Sequence, residues 1–192
     1  MELVWPARQY LASYVAALET GWSSDNLRGK AAADEHLHKI GHDADAFLAS
    51  LVDREARGGP ITLPDGTKVA RLPGYVRWLW AGEYCGSIGL RWQPGGETLP
   101  PYCLGHIGYS VVPWKQRHGY ATAALAQTLP AARDEGLRYV EVTCDPANVG
   151  SRRVIEANGG VLVEEFVRLP AYGGTPCLRY RIDLREYRSL RS

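Results

Sequence analysis

The stretch with the clearest chemical potential is Gln116-Arg117-His118-Gly119-Tyr120-Ala121. A strand-like run ends at Pro113, a short loop carrying Lys115 and Arg117 follows, and Gly119 opens a long helical pattern. The first N–H groups of a helix lack intrahelical partners, and the macrodipole adds partial positive charge there. Such a terminus binds anions, phosphates above all. Gly119 lets the backbone approach phosphate oxygens with no Cβ in the way, and Ala121 is small to the same end. The loop lacks the Gly-Lys-Ser/Thr ending of a nucleoside triphosphatase loop and the G-x-G-x-x-G of a dinucleotide fold. By itself it specifies an anion site or merely a helix start.

Other groups capable of chemistry are fewer. His106 lies on the strand leading into the loop, and histidine titrates near neutrality, as a general base for an amine must. Alternation places His106 on the face opposite Val111 unless a bulge intervenes, so a purely structural histidine is the competing reading. His118 sits inside the loop, within reach of a phosphate or facing solvent. Glu83 reads as a turn residue. His36, His38 and His42 cluster, but no H-E-x-x-H motif is present and Gly41 weakens a helix there, so no metal site is expected. Cys85, Cys103, Cys144 and Cys177 have no paired spacing and read as buried thiols.

Positioning these groups requires alternating strands and helices. Pro6 suits a first helical turn, and Leu11, Tyr14, Val15 and Leu18 form one apolar stripe. Residues 22–34 read as irregular. A second helix is expected over 43–57, with Ala46, Phe47 and Leu51 inward, ended by Gly58-Gly59-Pro60. Strands follow at 75–80 and 84–92 around the turn Ala81-Gly82-Glu83, then at 106–112. A helix over 119–135 contains Pro130, which predicts a kink or a break and restart. A strand at 139–144, a short helix at 151–157 and strands at 161–167 and 178–183 complete the order. This is an α+β pattern with a mixed, mostly antiparallel sheet flanked by helices. Trp78, Trp80, Tyr84, Trp92, Tyr102 and Tyr109 are expected mostly in the core, some lining an acceptor pocket. Trp114 is placed against a bound base or in solvent.

The chain has 192 residues, enough for a sizeable core without disulfides or metal. With a formal net charge of +1, no global field favours nucleic acid. The absence of a basic leader and of a long apolar run leads us to expect a cytoplasmic protein away from membranes.

Gln116-x-x-Gly119-x-Ala121 resembles the Gln/Arg-x-x-Gly-x-Gly/Ala signature of the GCN5-related N-acetyltransferases. Tyr109-Ser-Val111-Val-Pro113 is similar to that family's bulged fourth strand, and Val140–Cys144 to its fifth. Asp145–Ser151 with Asn148, followed by Glu156–Gly160, resembles its Asn-x-x-Ala/Ser helix and glycine exit. The resemblance covers about residues 70–184, with 1–60 as an added N-terminal helical segment of a single domain. His106-Ile-Gly-Tyr and Arg179-Tyr180 are similar to a bacterial subgroup of predicted acetyltransferases.

The resemblance implies acetyl-CoA as cosubstrate, no metal, and direct transfer to a primary amine in a ternary complex. It implies that Val111 and Val112 pair with the pantetheine arm, and that the Val111 N–H serves as oxyanion donor. It further implies that Gln116, Arg117, His118, Gly119, Tyr120, Ala121 and Thr122 surround the diphosphate, and that Asn148 and Ser151 contact the thiol end. Many members place a tyrosine seven residues after the asparagine, as acid for the leaving thiolate. Here that position is Ile155, so Ser151, a tyrosine from another segment, or water takes the role. The implied acceptor is a small molecule or a peptide, and a homodimer is compatible. The alternatives are a coenzyme-binding sensor without turnover, or transfer to a protein- or RNA-borne amine.

Overall fold

The computed structural model describes residues 1–25 and 28–185. In chain order the elements are β1 (Glu2–Val4), α1 (Arg8–Glu19), α2 (Lys30–His42), α3 (Ala44–Ser50), β2 (Val52–Asp53), β3 (Ile61–Thr62), β4 (Lys68–Val69), β5 (Gly74–Trp80) and β6 (Tyr84–Arg91). They continue with β7 (Ile107–Val111), α4 (Tyr120–Asp134), β8 (Tyr139–Cys144), α5 (Val149–Glu156), β9 (Val161–Val167) and β10 (Pro176–Asp183). No helix of the described residues is long and apolar enough to cross a membrane.

Two antiparallel sheets carry the fold. One has the order β1-β5-β6-β7, with β2 also pairing β5, and the other β8-β10-β9; β3 and β4 form a separate ribbon. Alternation divides the side chains between two layers. Tyr14, Leu18, Ala33 and Phe47 of α1–α3 pack with Val4, Trp78, Tyr84 and Val112 on one face. Leu125, Leu129 and Ile155 of α4 and α5 pack with Leu79, Ile88, Val140 and Val142 on the other.

Several expectations need correction. The helix expected over 43–57 ends at Ser50. Asp53 pairs with Gly74 in the sheet, and its carboxylate accepts the N–H groups of Arg57 and Gly58, at 2.8 and 2.9 Å. Those local bonds give the backbone an alternative to the helix. Conversely, part of the region expected to be irregular is α2. Ala32 and Ala33 are fully buried, and Lys39 and Arg28 both engage Glu35 on the exposed side. Asn26 and Leu27 of that stretch lie outside the described residues. Pro6 precedes α1, which begins at Arg8, and Phe47 and Leu48 face inward rather than Ala46.

Pro130 does not split α4, which runs unbroken past it. An interior proline costs about 3 kcal/mol. Leu125 and Leu129 are fully buried, and each contributes roughly 1.5–3 kcal/mol in the packed helix. Tertiary packing therefore outweighs the proline.

Candidate active site

The two sheets touch at one point between β7 and β8 and then diverge. The His106 N–H donates to the Glu141 carbonyl at 2.8 Å, and the Glu141 N–H donates back to His106 Nδ1 at 2.9 Å. Beyond this clasp the strands belong to different sheets and share no ladder among the described residues, so their facing edges toward Val111 and Cys144 form a candidate cleft.

Hydrogen-bond parity fixes what β7 shows to that cleft. The register Gly86↔Val111 to Leu90↔Ile107 is unbroken. The Val112 N–H donates to the Cys85 carbonyl at 3.0 Å, and the Arg91 N–H to the His106 carbonyl at 2.9 Å. Residues 106, 108, 110 and 112 therefore bond toward β6. The N–H groups of Ile107, Tyr109 and Val111 point away from it, toward the cleft. The Val111 carbonyl accepts from Gln116 Nε2 at 3.3 Å, so the N–H is the group of Val111 that faces the opening.

Two expectations about β7 change. Val112 is fully buried, its N–H is held by Cys85, and its carbonyl accepts the Lys115 N–H at 2.9 Å. Its N–H is therefore taken and its carbonyl already accepts one hydrogen bond. The bulge lies not in β7 but where β5 and β6 shift register between Leu79 and Trp80. There Gly86 takes φ +149°, and a Cβ on it would sit 2.2 Å from the Ser110 carbonyl oxygen. Only glycine lets β7 lie this close at Val111. Its position just after the hairpin turn is a signal that strand periodicity alone does not weigh.

The loop after β7 is tied back at three points. Lys115 pairs with Glu83 at 2.6 Å, Gln116 holds Val111, and His118 Nδ1 donates to the Gln116 carbonyl at 2.7 Å. Glu83 is thus a tether for the loop. The backbone then passes through left-handed conformations at Arg117 (φ +66°) and Gly119 (φ +74°). The first of these is unusual for a residue with a side chain. Gly119 caps α4 with no side-chain hydrogen bond, and open space lies where its Cβ would be. The N–H groups of Tyr120, Ala121 and Thr122 occupy the first turn, where no intrahelical partner exists. An uncapped helix start beside open space fits a phosphate-bearing ligand. Trp114 is 46% exposed, flanking the loop.

Opposite β7, Asn148 caps α5, its Oδ1 accepting the Ser151 N–H at 2.9 Å. The asparagine carbonyl is thereby occupied, and Ser151 is placed at the cleft. The Tyr109 hydroxyl lies 2.9 Å from Ser151 Oγ and 3.3 Å from the Ser151 carbonyl, two acceptors between which its one proton is shared. Burial pushes the Tyr109 phenol well above its ordinary range, so it stays protonated. Tyr109 packs against the core as expected of these aromatics, and alternation puts it on the same face as Val111, two residues on. Ile155 is fully buried in the core.

His106 does not reach the cleft as a base. Its side chain is fully buried and its Nδ1 accepts from Glu141, which places the ring proton on Nε2, an atom with no hydrogen-bond partner among the described residues. Burial pulls its pKa down to about 4, against a smaller opposing effect of Glu141. It is a clasp between sheets. In the N-terminal cluster, His36 Nδ1 bonds the Tyr14 hydroxyl at 2.7 Å. No group of His, Cys, Asp and Glu among the described residues has a metal-binding arrangement. The four cysteines are buried free thiols.

Comparison with known proteins places this geometry. No curated protein sequence matches the chain. Among solved structures, the fold is similar to RimL, a ribosomal L7/L12 α-N-protein acetyltransferase in complex with coenzyme A (12% identity, 94% of this chain and 92% of that chain, TM-score 0.60). It is also similar to MccE, the microcin C7 self-immunity acetyltransferase in complex with acetyl-CoA and AMP (12% identity, 94% and 91%, TM-score 0.56). The GNAT domain of S. lividans PAT is a third (15% identity, 95% and 88%, TM-score 0.54). These likenesses concern the fold. The protein-family model described as acetyltransferase (GNAT) domain matches residues 37–161, most of the chain, and the chain accordingly belongs to the GNAT acetyltransferase family.

Proposed function

We propose that this protein transfers an acetyl group from acetyl-CoA to a primary amine by direct attack in a ternary complex. The observation that carries this reading is the cleft between β7 and β8, with an outward N–H of Val111 at its mouth and the uncapped start of α4 beside it. The thioester of coenzyme A supplies an activated acyl group. The backbone N–H groups from Arg117 to Thr122 hold the diphosphate, with Gly119 giving close approach. The Val111 N–H donates to the thioester carbonyl, and its hydrogen bond strengthens as that oxygen gains negative charge. Tyr109 donates to Ser151 Oγ at 2.9 Å, which leaves the Ser151 proton for the departing sulfur, and the proton shed by the amine as the amide forms replaces it. Asn148 sets the start of α5 that presents Ser151.

The amine reaches the cleft from the face that carries α1–α3, since α4 and α5 cover the other. Residues 70–184 form the catalytic core in this reading, and the segment 1–60 covers the neighbouring face of β5 and β6. Holding both reactants in one cleft supplies much of the acceleration. His106 does not act as base in this reading, since it is withdrawn into the clasp.

Release of coenzyme A thiol, measured with a panel of primary amines, tests the reading. Amine-dependent release is expected; absence of acetyl-CoA binding at millimolar concentration overturns it. Binding without turnover of any amine would favour a coenzyme sensor, the second reading, which Ile155 at the usual tyrosine position supports.

A further inference from the structure

On the face of β8 opposite α4 and α5 lies a cavity of about 430 Å³. Its roof is the 98–104 loop, and its floor includes Tyr139 and Glu141 of β8 with Arg179 and Arg181 of β10. The register sets this floor: Arg181 stands opposite Glu141 and Arg179 opposite Thr143, so all share one face. Val140, Val142 and Cys144 point the other way, into the core beneath α4 and α5.

The two arginines are held rigidly by complementary contacts. Arg181 stacks over Tyr139 at 4.0 Å and donates Nη2 to Glu141 at 2.7 Å. Arg179 stacks over Phe166 at 4.7 Å, pairs through Nη1 with Glu164 at 2.8 Å, and has its Nε 3.7 Å from Glu141, too long for a hydrogen bond. That Nε is buried and has no hydrogen-bond partner. Glu141, itself buried, is thus shared by two guanidiniums. A planar guanidinium fixed on an aromatic face and along one edge is preorganised to offer its remaining edge to an oxyanion.

We propose that this cavity is the acceptor subsite, and that the preferred amine carries an oxyanion, carboxylate or phosphate, bound by Arg179 and Arg181. The proposal rests on the acetyl-transfer reading above. From the clasp at His106 and Glu141, β7 and β8 both run toward the cleft mouth at Val111 and Cys144. Glu141 and Cys144 are three residues apart, about 10 Å along the strand. Arg179 stands opposite Thr143 and Arg181 opposite Glu141, so an oxyanion held by the two lies roughly 3–10 Å along the strand from the mouth at Cys144. The apolar roof accommodates the chain between them.

The test uses ω-amino carboxylic acids and ω-aminoalkyl phosphates of increasing chain length, with diamines and amino alcohols of equal length as controls. Acetylation is followed by thiol release, and binding of the same compounds to the coenzyme A-loaded protein by calorimetry. The anionic amines should show kcat/KM about tenfold or more above the matched controls, with an optimum at a chain spanning no more than about 10 Å. The carboxylate and phosphate arms identify which oxyanion is preferred. Arg181→Gln should abolish that preference, read as the ratio of kcat/KM for anionic over uncharged amines within the variant. Arg179→Gln provides a second variant should the first fail to fold. Equal turnover of charged and uncharged amines, or equal loss of both in a folded variant, overturns the proposal. If no amine is acetylated, arginine-dependent binding of the anionic amines upholds the subsite and rejects the transferase reading; absence of such binding rejects the subsite.

Discussion

His106→Asn separates a structural role from a catalytic one. Asparagine can offer a side-chain oxygen to the Glu141 N–H that His106 Nδ1 now accepts at 2.9 Å, but it cannot titrate. In the folded protein burial holds the His106 pKa at about 4, below its ordinary 6.5. Between these values the unfolded chain carries a proton at position 106 that the folded chain does not. Stability from this site is therefore fully present above pH 6.5 and is lost as pH falls toward 4. At 1.36 kcal/mol per pH unit, the gap converts to about 3 kcal/mol. Urea unfolding at pH 7 and pH 4.5 measures it. Other groups, His36 and the carboxylates among them, titrate in both proteins and cancel in the difference. The wild type should lose about 2–3 kcal/mol more than the variant between the two pH values. The variant should also keep the pH profile of kcat/KM. Equal losses in both proteins, or an inflection near neutrality removed by the substitution, would refute the clasp and restore His106 as a base.

Other substitutions probe the cleft. Gly86→Ala places a Cβ 2.2 Å from the Ser110 carbonyl oxygen; a resulting shift of about 1 Å at Val111 should lower kcat by roughly 100-fold, measured by thiol release. Ser151→Ala should reduce kcat by about 100-fold, the lower end for a general acid, with the KM for acetyl-CoA little changed. Tyr109→Phe should give a smaller loss, and the double variant should match Ser151→Ala alone, because the tyrosine acts through the serine; additive losses would contradict that coupling.

Much of this arrangement was legible in the sequence wherever local rules govern. The strand pair 75–80 and 84–92, the strand 139–144 and the helix opened by Gly119 follow from period, turn residues and glycine chemistry. The Gln116–Ala121 signature with Asn148 carries the resemblance to the family whose model matches the chain. Where tertiary contacts decide, the sequence was silent or misleading. Asp53 ends a helix by capturing backbone N–H groups, and two buried leucines carry α4 through Pro130. The loss of Val112 from the site depends on hydrogen-bond parity with Cys85, which no residue type announces. His106 was placed on the correct face by alternation, yet its burial and its bond to Glu141 arise from a strand 35 residues away. The facing of Arg179 and Arg181 onto Glu141 likewise needs the β8–β10 register.

The central claim is that the start of α4 and the mouth of the β7–β8 cleft hold acetyl-CoA. Isothermal titration calorimetry of acetyl-CoA into the wild type and Gly119→Val tests it most directly. Position 119 has φ +74°, which costs a residue with a Cβ about 1–2 kcal/mol and more for a β-branched one. The predicted result is one site per chain in the wild type, weakened about tenfold or more in a folded variant. No binding to the wild type at millimolar coenzyme, or equal affinity in both proteins, would contradict the account.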